Sequence, residues 1–569
     1  MPGDEAAGKR SSAKGHQVKL TRMGGLAVAA AACLATTAAG LAPAAAHVAA
    51  RGSAAPAVTH YTGTPGVARL VPRAARHATG AAPMIQHGSR LSGHTFSATE
   101  SVPRVAGAAV PQAAAAATTV SNFDGTSSRD SQFTNYNLEF EPPDQGLCEA
   151  NGFVLEPVNS AYRIFSTNGT TLRGPFNIND LFNVGGQEFT SDPRCWYDAS
   201  TQTWFSIILF LSGGGVGNQG TVLIAVRHAK DPLGLWNEYS IDATDPGGRG
   251  CPCFGDQPRI GIDQQNLYIT ADQFPITGPG FDGGELWVID KAGLVAGNPT
   301  VKFAHFSGLR VAGQATPASQ LTPQPALSTA RPPAEFMLSQ LDFSNQGDGR
   351  IGVWAITNRA AVAAGGMPTL SSVVIKSEPY ADPPSPPQKG STSTLNSGDD
   401  RMQQTAYAGG TVWGELTTAV TPAGDSTVRA GGAWFQVTPR LAGGVVAGAK
   451  IVRQGYVAVR GQYLIYPAVQ PDAAGNAAVV FTETSAGEFP SAAYAKLGSR
   501  ASNFGPVFMA APGSGPYFKK STRWGDYSFA VPGASDTAWL ATEYIPPRSS
   551  QTTDGQQNWG TRVFQVPLG

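Results

Sequence analysis

Histidine is scarce in this chain, and its scarcity argues against several kinds of catalytic site. Of eight histidines, only His228 and His305 lie beyond residue 118. Two isolated histidines cannot supply the ligand set of a catalytic zinc or copper centre. A serine–histidine hydrolase would need one of them beside an activated serine, and no G-x-S-x-G nucleophile elbow occurs. Carboxylate, arginine and aromatic side chains are what remains for chemistry.

Charged residues are also few, at 14% of the chain, and 40 Lys plus Arg balance 40 Asp plus Glu. This balance favours neither nucleic acid nor an acidic membrane surface as a partner. Glycine (68) and proline (43) are abundant instead, and they fall between short runs of β-branched and aromatic residues. That pattern is typical of turns between short strands, and it predicts an all-β protein.

The first 46 residues resemble an export signal. A basic segment precedes an apolar stretch from Met23 to about Leu41, and Ala44-Ala45-Ala46 offers a small-residue cleavage site. An uncleaved membrane anchor is the alternative, because the stretch is nearly long enough to span a bilayer. Residues 47–117 are rich in Ala, Gly and Pro, which predicts a disordered linker or pro-segment. We expect a secreted protein, free of the membrane after cleavage or held at the cell surface.

Cysteine is limited to five residues, and one of them lies in the signal. An even number then remains in an oxidising compartment, which predicts two disulfides among Cys148, Cys195, Cys251 and Cys253. Cys251-Pro252-Cys253 is expected to be too tight to close on itself, so each of these cysteines would pair with Cys148 or Cys195. The sequence leaves both connectivities open. A zinc site is the rival interpretation, but it lacks a C-x-x-C pair.

A short Asp/Arg turn recurs before apolar runs, at spacings of roughly 60 to 70 residues or multiples of them. Such a spacing suits four short strands with generous loops and predicts a β-propeller over residues 118–569. We count seven blades, with six or eight as alternatives. The last blade shows only three clear strands, so the N-terminal run Thr118–Phe123 is expected to pair beside Thr561–Val566 and close the ring.

The recurring turns supply the candidate binding residues, because the turn into the innermost strand of each blade lies at the channel mouth. The candidates are Asp192, Arg194, Asp256, Arg259, Asp399, Asp400, Arg401, Arg523, Trp524 and Asp526. Converging arginines would bind an anionic group, and paired carboxyls could perform acid–base work on a glycoside. The alternative is structural, with each Asp capping a turn and pairing with Arg to join neighbouring blades.

Two further features bear on the ligand. Trp236, Trp524 and Trp559 adjoin turns and are candidates for stacking on a sugar ring. No cofactor or metal is predicted. The number of carboxylates is compatible with a bound calcium ion, but the sequence contains no D-x-D-x-D-G calcium-binding loop.

Four segments carry a resemblance to a known family: 142–146, 191–205, 231–236 and 523–528. They resemble secreted bacterial β-propeller proteins without an assigned activity, which are distantly related to sialidases and neuraminidases. The S-x-D-x-G-x-x-W box of true sialidases is missing from every blade. We therefore expect an exported, monomeric propeller that recognises a glycan or another extracellular polymer. The alternatives are a sialidase-like glycoside hydrolase or lyase, and a structural or adhesive surface protein.

Overall fold

The computed structural model describes residues 57–72, 111–113 and 118–569, with gaps at 139, 187, 213–218, 245–250, 277–279, 312–321, 343–345, 520–522 and 548–556. The predicted export signal at 1–46, and most of the predicted linker at 47–117, lie outside these residues. Among the described residues, no helix has the length and apolar character needed to cross a membrane. The protein is all-β, as predicted.

Apart from two N-terminal strands, the strands of the described chain form seven antiparallel groups of four, and six of these groups run up and down in chain order. The first three groups are β4 (Cys148–Ala150), β5 (Phe153–Val158), β6 (Ala161–Ser166), β7 (Thr171–Phe176); β8 (Phe189–Asp198), β9 (Thr203–Leu211), β10 (Gly220–His228), β11 (Asn237–Asp242); and β12 (Cys253–Ile262), β13 (Asn266–Pro275), β14 (Gly283–Asp290), β15 (Thr300–Leu309). The next three are β16 (Gln324–Ser328), β17 (Glu335–Ser339), β18 (Asp348–Thr357), β19 (Thr369–Tyr380); β20 (Met402–Ala408), β21 (Thr411–Val420), β22 (Arg429–Ala442), β23 (Val445–Val457); and β24 (Tyr463–Pro471), β25 (Ala477–Ser485), β26 (Glu488–Leu497), β27 (Val507–Ala511).

The seventh group combines the two ends of the folded region. It contains β28 (Phe529–Pro532), β29 (Thr537–Tyr544), β30 (Gly560–Pro567) and the early strand β3 (Ser121–Ser127). β3 lies antiparallel to β30, with Ser121 opposite Gln565 and Phe123 opposite Val563. The predicted pairing of the N-terminal run with the last strand is therefore present, although the strand begins at Ser121.

Short helical segments interrupt the strands. In the described chain these are the α-helices α1 (Ser128–Thr134) and α2 (Lys291–Val295), and the 3₁₀ turns Ile178–Asp180 and Arg359–Ala361. α1 starts directly after β3, where Ser127 and Asp130 form a reciprocal capping box. This cap ends the strand and directs the chain towards the first group.

Parallel contacts join the first strands of neighbouring groups. β16 pairs with β20 over three residues and with β12 at a single position, Ile262 opposite Leu327. These bridges join groups three to five. Group two is joined to group three by an N-terminal strand that pairs with both β11 and β15, and the resulting hydrogen-bonded sheet has 18 strands, two of them N-terminal.

Those two strands correct the prediction of a disordered segment over 47–117. β1 (Thr59–His60) pairs with β19, and β2 (Thr64–Leu70) pairs with both β11 and β15. A Gly- and Pro-rich segment cannot build a core alone, but its backbone can add to strand edges that other residues have already ordered. Residues 57–72 thus form a strap along the outer edges of groups two to four.

The apolar core lies between the faces of neighbouring groups. The largest buried cluster takes residues from five groups, including Phe165, Phe205, Ile260, Leu327 and Trp539. Side chains of successive groups interdigitate in this way, as in packed sheets, so each group is stabilised by the next.

The disulfide pairing differs from the prediction. Cys148 bonds Cys195, which links β4 to β8, and Cys251 bonds Cys253. The Cα atoms of Cys251 and Cys253 are 4.4 Å apart. This separation is short but lies within the range that disulfides span, so the Cys-Pro-Cys turn is not too tight to close.

Candidate functional site

Three of the first strands carry a β-bulge with a proline inside it, close to their N-terminal ends. The register shifts fall between Ser191 and Arg194 in β8, Asp256 and Arg259 in β12, and Ile465 and Ala468 in β24. In each bulge the residue before a proline adopts a positive φ: Asp192 at 61°, Gln257 at 49° and Tyr466 at 55°. Bulges change the direction of side chains, and positive φ in such residues is strained. Two of the three bulges coincide with predicted Asp/Arg turns.

The side chains near these bulges form a buried ion-pair cluster, which consists of Gln257, Arg259, Asp272, Asp399 and Arg401. Arg401 binds both carboxylate oxygens of Asp399, at 2.7 and 2.6 Å, and also Asp272 at 3.2 Å. Arg259 binds the same Asp272 oxygen at 3.0 Å. The side-chain amide oxygen of Gln257 accepts hydrogen bonds from the guanidinium groups of both Arg259 and Arg401. Burial opposes ionisation of Asp399, but the Arg401 guanidinium holds its pKa below the usual value.

A second, partly exposed layer lies beside this cluster. It consists of Asp256, Arg523 and Asp526, and we call it the accessible cluster. Arg523 donates to Asp526 at 2.7 Å, with side-chain exposures of 16% and 13%. The Gln257 amide donates to the same Asp526 oxygen at 3.3 Å and connects the two clusters. Three of the predicted turns, far apart in sequence, therefore meet in one network.

Asp256 carries the most perturbed carboxyl of the accessible cluster. It lies directly opposite Asp272 across strands β12 and β13. Burial, reinforced by the nearby carboxyls of Asp192, Asp272 and Asp526 and opposed by Arg401, raises the pKa of Asp256 to about 8. A half-buried carboxyl of this kind holds its proton at neutral pH, so it can donate a hydrogen bond as well as accept one.

Asp192 and Arg194 flank Tyr527, which precedes β28. The Tyr527 hydroxyl donates to Asp192 at 3.1 Å, and the Arg194 guanidinium lies 3.4 Å from the centre of the Tyr527 ring. Arg194 is buried, which lowers its pKa, and its Nη1 has no partner among the described residues. It borders an enclosed cavity of about 10 Å³, which is room for about one water molecule.

Asp400 and Trp524 do not belong to this network. Asp400 is buried, and its pKa is raised well above the usual value by burial and by the carboxyls of Asp342 and Asp382. Trp524 is 1% exposed and donates to Thr482 at 3.1 Å. Trp236 and Trp559 are buried as well. The three tryptophans adjoin turns in the sequence, but their rings are buried in apolar clusters. They are therefore not accessible for stacking on a sugar.

Gln257, Asp272 and Tyr527 were not among the predicted residues, and neither was Asp144, which accepts from the Asp526 backbone N–H at 2.8 Å. Tyr466 and Glu543 were missed as well, and they lie close enough to Asp526 for its charge to raise their pKa. Gln257 and Tyr466 share a signal that is visible in the sequence, namely a bulky residue before proline inside a strand run. Asp272 and Glu543 lie on second strands, within regular strand patterns that have no turn residues to mark them.

No protein-family model matches this sequence, and no curated protein is similar to it. Among solved structures, the chain is similar to Trypanosoma rangeli sialidase in complex with 2,3-difluorosialic acid, with 10% identity, TM-score 0.33, and coverage of 71% of this chain and 56% of that one. It therefore spans little more than half of the sialidase chain.

Two further likenesses are to an ancestral GH74 enzyme and to the GH93 α-L-arabinofuranosidase of Fusarium graminearum with arabinobiose. The first has 10% identity, TM-score 0.37, and coverage of 76% of this chain and 50% of that one. The second has 10% identity, TM-score 0.30, and coverage of 66% and 92%. With identities and TM-scores this low, the likenesses carry no inference about activity.

Proposed function

We propose that this chain is an exported, monomeric β-propeller that binds a glycan at the accessible cluster. Seven antiparallel groups of four strands, with β3 completing the last, support a seven-bladed ring closed by the two ends of the folded region. The signal-like sequence at 1–46 and the two disulfides support export to an oxidising compartment.

The observation that carries the binding proposal is the convergence of Asp256, Arg523 and Asp526. They come from two separate groups, and they are the least buried residues of the network. Asp256 can donate and accept a hydrogen bond, Asp526 accepts, and Arg523 donates. Sugar hydroxyl groups both donate and accept, so this mixed set matches a carbohydrate.

The charge balance favours a neutral glycan over an acidic one. Arg259, Arg401 and Arg523 each already bind a carboxylate of the protein. An acidic ligand would have to displace one of these pairs and approach further carboxyls. Hydroxyl groups of a neutral sugar could instead bind at the exposed edges of the pairs, without breaking them.

The test is a panel of neutral, uronic-acid and sialylated oligosaccharides, with wild type, Asp256→Asn and Arg523→Ala. Arg350→Ala is the matched control, because Arg350 also binds a nearby carboxylate, Asp348, at 2.6 Å. We expect wild type and the control to bind the same neutral glycans, and both cluster variants to bind them more weakly. Equal binding by all four proteins would refute the proposed site.

Glycoside hydrolysis is a second candidate, and Asp256 is the observation in its favour. A carboxyl that holds its proton at neutral pH and that solvent reaches suits a general acid. Release of reducing ends from the bound glycan, lost in Asp256→Asn but kept in Arg350→Ala, would support hydrolysis. Binding without release would leave recognition as the function.

A further inference from the structure

Three aspartates from separate parts of the fold bring carboxylate oxygens together. Asp144 precedes β4, Asp192 lies in the bulge of β8, and Asp526 precedes β28. One oxygen from each lies within 4.8 Å of the other two. Asp144 and Asp192 are buried, and Asp526 is 13% exposed. Three oxygens at such separations can bind one cation at the same time.

Three carboxyls face two nearby arginines, Arg194 and Arg523, so the positive charge does not fully offset the trio. Asp144 accepts from the Asn159 amide at 2.7 Å and from the Asp526 backbone N–H at 2.8 Å, and Asp192 accepts from a tyrosine hydroxyl. Within the described chain, neither Asp144 nor Asp192 forms a salt bridge, whereas Asp526 pairs with Arg523. Buried carboxylates that lack an ion pair or a bound cation are costly.

A fourth carboxyl provides an independent sign of a missing ligand. Glu543 is 2% exposed, and neither of its carboxyl oxygens has a hydrogen-bond partner among the described residues. A Cβ at Gly525 would collide with this carboxyl group, so Glu543 packs against the backbone next to Asp526. After burial, the carboxyls of Asp144 and Asp526 are the largest influences that raise its pKa, which places them close by. An unpartnered buried carboxyl beside two members of the trio is what a cation would satisfy.

We propose that Asp144, Asp192 and Asp526 bind a divalent cation of the Ca²⁺ type, with Glu543 beside it. All the available ligand atoms are oxygens, which suit hard cations and not zinc or copper. Ca²⁺ is favoured over Mg²⁺ because it tolerates irregular coordination, and these ligands come from unrelated loops. The ion would tie the first, second and seventh groups together. This inference does not depend on glycan binding.

The test is calorimetric titration of CaCl₂ into the full chain after removal of metal with EDTA. We expect one equivalent to bind, and Asp192→Asn and Asp526→Asn each to weaken binding by about tenfold or more. Asp348→Asn is the matched control, since this aspartate also pairs with an arginine but lies outside the trio. It should bind Ca²⁺ as wild type does. Absence of binding to wild type, or equal binding by all four proteins, would overturn the proposal.

A second measurement covers variants that fail to fold. The melting temperature of wild type should rise with Ca²⁺ concentration, because an ion that binds only the folded state stabilises it, and Mg²⁺ should raise it less. An identical melting temperature in Ca²⁺ and in EDTA would contradict the site. Such a failure would leave the glycan proposal intact, since that is tested separately through Asp256 and Arg523.

Discussion

Glu156 on β5 accepts two hydrogen bonds from Thr126 on β3, from the backbone N–H at 2.6 Å and from Oγ1 at 2.9 Å. Thr126 belongs to the strand that completes the seventh group, whereas Glu156 belongs to the first group. This buried contact therefore joins the first group to the seventh, where the two ends of the folded region meet.

The same contact makes stability depend on pH. Burial, opposed by hydrogen bonds from Thr561 and Thr126, raises the pKa of Glu156 from 4.5 to about 7. The folded state then holds the Glu156 proton more tightly than the unfolded state does. The stabilisation that the protonated carboxyl gives to the folded state is therefore complete below the ordinary pKa of 4.5, and it is lost as the pH rises through about 7. The free energy of unfolding of wild type should fall between about pH 5 and pH 8. In Glu156→Gln, which cannot ionise at this position, we expect this fall to be smaller by up to about 3 kcal/mol. Urea denaturation at both pH values measures this, and an unchanged pH slope in the variant would contradict it.

The two arginines of the linked clusters should differ in their effect on stability. Arg401→Ala leaves Asp399 and Asp272 buried with fewer partners, and we expect a loss of about 3–5 kcal/mol. Arg523→Ala breaks a somewhat more exposed pair, with 16% and 13% of the side chains accessible, and should cost less than Arg401→Ala. Thermal and urea unfolding of both variants test this difference. Equal losses would mean that the distinction between buried and accessible clusters is wrong.

Gly66 in the strap β2 is required for its close approach to β15. A Cβ at this position would collide with the ring of Phe303. We expect Gly66→Ala to cost roughly 1–3 kcal/mol and to make the strap more sensitive to limited proteolysis. Gly498→Ala is the matched control, because its nearest neighbour would lie at 4.0 Å. Equal protease resistance in wild type and both variants would show that the strap does not depend on this contact.

The two disulfides should contribute unequally to stability. They close loops with sequence separations of 47 and 2 residues. On the chain-entropy account, replacing Cys148 and Cys195 by Ser should cost about 4 kcal/mol, against about 2 kcal/mol for Cys251 and Cys253. Urea unfolding of the two double variants compares them, and peptide mapping without reduction verifies the pairing. A larger loss from the Cys251–Cys253 pair would contradict this order.

Local patterns in the sequence predicted much of the fold. Gly and Pro between short apolar runs indicated the strands, and the short last group led to the pairing of the N-terminal run with β30. The strap was missed because β2 is stabilised by the edges of β11 and β15, which its own composition does not reveal. The Cys251–Cys253 bond was missed because spacing alone does not determine the path of the turn.

The candidate site was predictable only where a residue lay at a turn. Asp192, Arg259 and Arg401 followed from the recurring Asp/Arg turns. The side chains of Arg259 and Arg401 meet at Gln257, and Asp192 lies beside Asp526. Asp272 and Glu543 could not be recognised, because each sits in a regular strand and becomes important only through its neighbours across the sheet. Asp400 lies in one of the recurring Asp/Arg turns as well, but its side chain lies near the carboxyls of Asp342 and Asp382 and not in the network.

The most direct test of the account is a calorimetric titration of the glycan that binds best in the panel into wild type, Arg523→Ala and Arg350→Ala. If the glycan binds at the accessible cluster, wild type and Arg350→Ala should have the same affinity for it. We expect Arg523→Ala to bind at least about tenfold more weakly, because a charge-assisted hydrogen bond to the ligand is lost. Equal affinity in all three proteins, or a wild type that binds no glycan of the panel, would contradict it.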